Sequence, residues 1–206
     1  IRKAYEAHIV KLLQLSGVPA DAAATQAKDV ITLETRLAKA SLSSEDLSRD
    51  VALYYNPVSL AEADKLTPNF SWTEFFKSQG VAAPEMFSLA MPAFHQEVSK
   101  MLVDVPIEQW KNYLRFHAID AAASDLSDEF VAENFEFYSK TLHGQKEMKP
   151  RWKQVLGAIN SEAGEALGQM YVDVAFPPAA KAQMEVLVGN LGEAWKARIE
   201  QLSWMR

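Results

Sequence analysis

Apolar residues recur at helical spacing along almost the whole chain, which predicts a succession of α-helices. The helix expected to begin after Pro19 shows this pattern clearly. One side of it carries Ala23, Ala27, Val30, Leu33, Leu37 and Ala40. Because small residues come first on this side, its early turns can lie close against a neighbour, and we expect this helix to be central. The fold class predicted is all-α: a single multi-helix domain with long antiparallel helices and at most one short extended segment.

Proline, glycine and serine residues mark where the helices should begin and end. The first helix should end at Ser16-Gly17, because glycine suits the left-handed residue beyond a helix. Short helices are expected from Ser43 or Ser44 through Leu53, from Ser59 to about Leu66, from Trp72 to about Gln79 and from Pro92 to about Val103. Ser71 and Glu74 have the spacing of a capping box. The apolar run from Glu85 to Met91, bounded by prolines, is the only plausible strand.

Larger apolar faces are expected in the second half of the chain. The helix that begins after Pro106 should bury one stripe made of Ile107, Trp110, Leu114, His117 and Ala121. The segment from about Asp128 to Leu142 should be one helix with a broad aromatic face. Two long helices should follow, from Pro150 to about Val174 and from Pro178 to beyond Leu202. At 1.5 Å per residue each would be about 37 Å long.

Composition narrows the class of protein. The chain has 206 residues, of which 49% are apolar and 23% charged, as in ordinary soluble globular proteins. Its net charge of −6 opposes binding to nucleic acid. It contains no apolar run long enough to span a membrane. The absence of cysteine excludes disulfides, thiolate metal sites and cysteine nucleophiles. Because the sequence opens on Ile1 and stops just after Trp204-Met205, we expect it to be a piece of a longer protein, from which a leader or anchor could have been removed.

The candidate chemical groups favour a structural interpretation. None of His8, His95, His117 and His143 has a partner at the spacing of a helical metal site, and His117 is expected to be a hydrogen-bonded core or interface residue. The carboxylates Asp125, Asp128, Glu129, Glu133 and Glu136 are expected to form a solvated helix face. Gly164 and Gly168 should pack closely against another helix. The residues thus predict a scaffold with no catalytic, cofactor-binding or metal-binding residue.

Aromatic and methionine side chains also crowd a region of short elements and turns. They are Trp72, Phe75, Phe76, Met86 and Phe87. They are expected to belong to the core, with a contact surface as the alternative.

One stretch is specific enough to suggest a family. It runs Lys149-Pro150-Arg151-Trp152-Lys153 and continues with Gly157, Gly164, Gly168, Tyr171-Val172 and Phe176. Companion motifs are Arg49-Asp50, Tyr55-Asn56, Pro68-x-Phe70-Ser71-Trp72 and Leu202-Ser203-Trp204-Met205. Together they resemble the amino-terminal region of the neprilysin and endothelin-converting-enzyme family of zinc metallopeptidases. The H-E-x-x-H zinc motif of such enzymes does not occur between Ile1 and Arg206.

The resemblance implies a function for the complete protein. Residues 1–206 would be part of a helical lid domain that roofs the active-site chamber and admits only peptides. The zinc ligands and the catalytic residues would belong to a carboxy-terminal catalytic domain of the same polypeptide, which is the partner expected here. This chain alone would hold no zinc and be inactive, while the complete protein would be a zinc-dependent metalloendopeptidase acting on peptides. The resemblance also implies an extracytoplasmic location, whether periplasmic, secreted or anchored at the cell surface. The absence of cysteine says little about compartment, since bacterial exported proteins often do without disulfides, whereas animal members of the family carry them.

Two further expectations concern individual residues, and one alternative function stays open. Trp152 is expected to be a buried anchor that contacts the aromatic segment from Phe130 to Leu142. Arg151 beside it is expected to have a structural role. The alternative function is a stand-alone helical protein-interaction module that binds a partner in an apolar groove.

Overall fold

The structure, a computed structural model, describes residues 1–205 and confirms the all-α class. The chain divides into a first compact unit, Ile1–Lys146, and a second that begins at Glu147. The helices of the first unit are α1 (Arg2–Leu15), α2 (Ala20–Ala40), α3 (Ser44–Arg49), α4 (Leu60–Leu66), α5 (Trp72–Ser78), α6 (Pro92–Asp104), α7 (Ile107–Ala122) and α8 (Asp128–Asn134). A π-helix (Phe135–Leu142) continues α8, and the second unit contains α9 (Arg151–Ala175) and α10 (Pro178–Gln201).

The main core lies between α1, α2 and α7. Its buried side chains are Ile9, Leu12, Leu13, Ala23, Ala27, Val30, Phe116 and Ala123. The small residues at the start of α2 allow α1 and α7 to approach it closely, as the sequence predicts. Each large apolar side chain buried here contributes about 1.5–3 kcal/mol relative to leaving it in water. The central position predicted for α2 is therefore confirmed.

The prediction for the buried face of α7 is wrong. Ile107 and Leu114 are 66% and 60% exposed, whereas Phe116 is fully buried. Tyr113 and Ile119 pack beside Phe116 against the core. The helix carries apolar residues on more than one side, so periodicity alone offers two competing stripes. Packing against α1 and α2 selects the stripe that contains Phe116.

A short antiparallel sheet joins two loops of the first unit. Strand β2 (Met86–Ser88) lies within the predicted extended run and pairs with β1 (Pro57–Ser59), with Val58 opposite Phe87. The sequence pattern did not predict β1, because a three-residue strand is too short to show alternation. Directly after β1, Ser59 and Glu62 form a full capping box at the start of α4.

The segment expected to be one helix changes its winding at Phe135. It is α-helical as far as Asn134 and then π-helical through Leu142. The wider π turn brings the neighbouring residues Phe137 and Tyr138 both toward α1, where their rings lie 4.5 Å and 5.5 Å from that of His8. The winding therefore decides which side chains reach the core.

The second unit consists mainly of two long helices, as predicted. Neither α9 nor α10 buries a side chain, and within the described residues the two make no extended packing contact with each other. Ala163 has non-helical backbone angles (φ −135°, ψ 30°), which kink α9 near its middle. Within the described residues, the second unit thus has no buried core of its own and exposes many large apolar side chains.

Candidate functional site

A buried polar network surrounds His8 in the first unit. The side chain of His8 is buried, and its Nδ1 lies 2.9 Å from Oε1 of Glu133 while its Nε2 lies 3.1 Å from Oδ1 of Asp120. The hydroxyl of Tyr138 donates a hydrogen bond to Oδ2 of Asp120 at 2.7 Å. These contacts join α1, α7, α8 and the π-helix. The network therefore links the elements around one edge of the main core.

The electrostatics of this network favour an ionised Asp120. Burial by itself would raise the pKa of Asp120, but the hydrogen bonds from His8 and Tyr138 lower that pKa overall. Burial and the hydrogen bond to Asp120 raise the pKa of the Tyr138 hydroxyl, which stays protonated and donates. The ionised carboxylate of Asp120 and the protonated hydroxyl of Tyr138 thus favour the hydrogen bond between them.

A second set of contacts lies beside it and is centred on Glu34 of α2. Its Oε1 accepts a hydrogen bond from the hydroxyl of Tyr5 at 2.8 Å and lies 3.0 Å from Nε2 of His117. Burial, followed by the contact with Glu34, raises the pKa of Tyr5. The ring of Tyr113 packs 4.3 Å from that of His117. His117 is hydrogen-bonded as expected, but its side chain is 40% exposed, so it is not a core residue.

This network is built to hold elements together. Both ring nitrogens of His8 are engaged by carboxylates, and the ring is too buried to meet a substrate. In the part of the chain that the structure describes, no buried side-chain nitrogen or oxygen lacks a hydrogen-bond partner. Among the same residues, no cluster of three or more histidine and acidic side chains is placed to hold a metal ion. The arrangement thus provides structural tethers.

The prediction of a solvated carboxylate face is right for four residues and wrong for one. Asp125, Asp128, Glu129 and Glu136 are exposed, whereas the side chain of Glu133 is only 19% exposed. Glu133 turns inward because the packing of α1 against α8 brings His8 within hydrogen-bonding distance. These two residues are 125 positions apart in the sequence, so no local signal indicates their pairing.

The crowded aromatic residues form a second, smaller core. Trp72 is buried, and its indole N–H donates a hydrogen bond to Oγ1 of Thr67 at 2.9 Å. Rings of Phe70, Phe75, Phe76, Phe87 and His95 surround it. Burial lowers the pKa of His95, partly offset by a hydrogen bond to the backbone of Ala90. Core burial is thus confirmed for Trp72 and wrong for Phe75 and Met86, whose side chains are 40% and 62% exposed.

Two predictions for α9 are wrong within this chain. Trp152 is 63% exposed, so it is not a buried anchor, and its ring lies under the ammonium group of Lys153 at 5.2 Å. Around Gly168 nothing lies within 4 Å of an added Cβ, and around Gly164 only the side chain of Asn160 does, at 3.8 Å. No described helix of the second unit packs on these glycines, so close packing within that unit does not explain them. Arg151 is exposed as well, and its structural role stays a prediction.

Trp152 and the two glycines instead line an open groove along one face of α9. We call it the α9 groove. Its volume is about 1080 Å³, and it runs from Lys149 to Val174. Apart from these ends, its main residues are Trp152, Lys153, Leu156, Gly157, Asn160, Gly164, Leu167, Gly168, Met170 and Tyr171. The groove is therefore apolar along most of its length, with two lysines at the end where α9 begins.

No described helix of the chain combines the length and the apolar character needed to cross a membrane.

Comparison with known proteins gives the chain a family. The model of peptidase family M13, in its amino-terminal part, matches residues 1–206. Rat "Endothelin-converting enzyme-like 1" is 32% identical over 207 residues, which cover 98% of this chain and 26% of that protein. "Neutral endopeptidase" of Lactobacillus helveticus is 26% identical over 200 residues, covering 97% of this chain and 31% of that protein.

Solved structures agree in sequence and in fold. The zinc metalloprotease Zmp1 of Mycobacterium tuberculosis in its open state superposes with a TM-score of 0.80 at 32% identity, covering 100% of this chain and 32% of that one. The inhibitor complex of the same enzyme gives 0.78 at 31% identity. The chain thus spans about a third or less of the length of the proteins that it matches. With the family model matched from end to end, this chain belongs to peptidase family M13.

Proposed function

We propose that this chain is the non-catalytic lid region of a neprilysin-like, zinc-dependent metalloendopeptidase. In the complete protein it would roof the active-site chamber and limit access to peptides. The observation that carries the proposal is the match of the whole chain to the amino-terminal family model, at about 32% of the length of a zinc metalloprotease of the same fold. The remaining two thirds of such a polypeptide would then hold the catalytic centre.

The residues present do not fit a catalytic zinc site. Such a site takes three protein ligands around the metal, and the described residues bring no such set together. His8, the most buried histidine, already has a carboxylate at each nitrogen. The metal would then be held by the part of the polypeptide outside this chain.

The exposed apolar surface of the second unit supports a role inside a larger protein. Large apolar side chains of α9 and α10 lie open to solvent, among them Tyr171, Leu191 and Trp195. Monomeric soluble proteins rarely leave contiguous apolar patches larger than a few hundred Å² uncovered. A catalytic domain of the same polypeptide would cover this surface. An extracytoplasmic location is part of the same proposal and rests on the family resemblance.

A peptide series tests the proposal. The complete protein should hydrolyse short quenched-fluorescence peptides, and a chelator should abolish this hydrolysis. The helical circular dichroism of residues 1–206, measured on that chain alone, should persist in the chelator. The kcat/KM should fall steeply once the substrate is too large for a closed chamber. Hydrolysis of a large unfolded protein as fast per bond as a short peptide would contradict the lid role. Peptide turnover by residues 1–206 alone would contradict the assignment of catalysis to the rest of the protein.

A second candidate function is a stand-alone helical interaction module. The exposed α9 groove is the observation that favours it, because such a module needs an open apolar groove after folding. The two candidates differ in whether the groove stays open in the complete protein. If it stays open and binds a separate helical partner, the module is favoured, whereas a groove filled by the same polypeptide favours the lid.

A further inference from the structure

The α9 groove has the features of a binding site for a single helix. Twenty-five residues of α9 give it a length of about 37 Å at 1.5 Å per residue. Large side chains of Trp152, Leu156, Leu167 and Tyr171 stand along it, while Gly157, Gly164 and Gly168 leave a shallow lane. A lane without side chains lets a second helix backbone approach closely. The kink at Ala163 bends α9 at the middle of this face.

A polar stripe runs along an exposed side of α9 that does not line the groove. Glu162, Glu165, Gln169 and Asp173 follow each other at steps of three or four residues and are all exposed. After the kink at Ala163, Gln169 lies about 160° around the helix from Leu167 and Tyr171 of the groove, at 3.6 residues per turn. Acidic and amide groups are well hydrated, so this stripe favours exposure to solvent. The occupant should therefore cover the groove and leave this polar stripe free.

Charge distinguishes the two ends of the groove. Lys149 and Lys153 lie at the end where α9 begins, and no aspartate or glutamate lines the groove. The amino terminus of α9 adds its own partial positive charge at the same end. The carboxyl end of a helix carries the opposite partial charge. A helix that places its carboxyl end, or an acidic side chain near it, beside the two lysines runs antiparallel to α9.

We infer that the α9 groove seats one helix from the part of the same polypeptide beyond residues 1–206, running antiparallel to α9. This inference rests on the proposed function, because that function supplies the additional chain. Some two thirds of a solved relative's length lies outside the region matched here, so the polypeptide has ample chain to fill the groove. The lining of the groove is largely apolar and exposed in this chain, and such surfaces in soluble proteins mark sites that another element covers.

Thiol labelling of the complete protein tests whether the groove is covered. This chain has no cysteine, so single thiols can be introduced in a background cleared of any others. Asn160→Cys places a thiol in the groove, and Gln169→Cys places the matched control on the polar stripe of the same helix. We expect the Asn160→Cys protein to react with a maleimide at least about tenfold more slowly than the Gln169→Cys protein. Equal rates in folded protein would overturn the inference.

Photocrosslinking identifies the occupant and its direction. With p-benzoylphenylalanine in place of Lys153, the captured peptide should come from the carboxyl end of one helix outside residues 1–206. With the same group in place of Tyr171, it should come from the amino end of that helix. Capture within residues 1–206, capture of a second copy at dimer mass, or the reverse order of the two ends would each overturn the inference.

Peptide hydrolysis by the same preparations separates this inference from the proposed function. If the protein is active and its groove thiol reacts as fast as the control thiol, no helix covers the groove, and the proposed peptidase function is unaffected. An inactive protein with a protected groove thiol and a captured helix supports the binding site for a helix and contradicts the proposed function.

Discussion

Replacing His8 by phenylalanine should destabilise the first unit by about 3 kcal/mol. The phenyl ring keeps the stacking on Phe137, whose ring centroid is 4.5 Å away, and the edge contact with Phe116. The variant therefore removes hydrogen bonds while preserving most of the packing. What it leaves behind are two carboxylates, Asp120 and Glu133, that have lost a partner.

The magnitude follows from the two contacts. A hydrogen bond to a charged group contributes about 1.5–3 kcal/mol, so two give about 3–6 kcal/mol. The lower end applies because the side chains of Asp120 and Glu133 are 15% and 19% exposed, so water can reach both. Asp120 also keeps the hydrogen bond from Tyr138.

Urea unfolding followed by far-ultraviolet circular dichroism measures the effect. The matched control is His95→Phe, where a half-buried histidine loses a hydrogen bond to the backbone of Ala90, at a cost of about 1 kcal/mol. Adding Asp120→Asn and Glu133→Gln to the His8→Phe protein should restore at least about half of the loss, because neutral amides are easier to bury than carboxylates. A loss below about 1 kcal/mol for His8→Phe, or no recovery in the triple variant, would refute the reasoning.

Four further outcomes follow from the contacts and exposures described. The free energy of unfolding should fall in acid, because the pKa of Asp120 is lower in the folded protein than its unfolded value of about 3.9. This contribution is fully present above the unfolded pKa and is lost as the pH falls through the folded pKa. The Asp120→Asn variant should flatten this part of the dependence of stability on pH. Trp72→Ala should cost about 3–5 kcal/mol in urea unfolding, since the indole is buried and bonded to Thr67, and a loss under 1 kcal/mol would contradict that burial. Trp152→Ala should cost less than about 1 kcal/mol in residues 1–206, because the ring is largely exposed, and a larger cost there would show that this chain covers the ring. Gly168→Ala should stabilise the same chain by up to about 1 kcal/mol and raise its melting temperature, because no atom lies within 4 Å of the added Cβ. A lower melting temperature would show that another group lies close to this position.

Most helix boundaries could be predicted because their signals are local. Gly17 and Gly80 take positive φ values of 92° and 68° directly after α1 and after the end of α5, as glycine allows. Pro92 opens α6, and Pro106 is the residue before α7. Each of these effects depends on atoms within about one turn of the residue, so the sequence contains all the information needed.

The candidate polar network could not be predicted, because its partners are far apart in the chain. Sequence spacing placed Glu133 on a solvated face, and only the packing of α1 against α8 turns it toward His8. The only local signal is that His8 lies on the apolar side of α1, between Tyr5 and Leu12, where a side chain is expected to be buried. That stripe alone does not say which of 27 acidic residues reaches the ring.

The sequence by itself determined the all-α class, most of the helix boundaries and, through a specific motif around Trp152, the family. These properties depend on local backbone preferences and on residue identity, both of which can be read along the chain. Tertiary structure alone decided that Phe116 and not Leu114 enters the core, that the winding changes at Phe135, and that Trp152 lies exposed in this chain. The physical reason is that burial is a property of two surfaces. A helix with apolar residues on several sides is assigned its buried face only by the helices that pack against it.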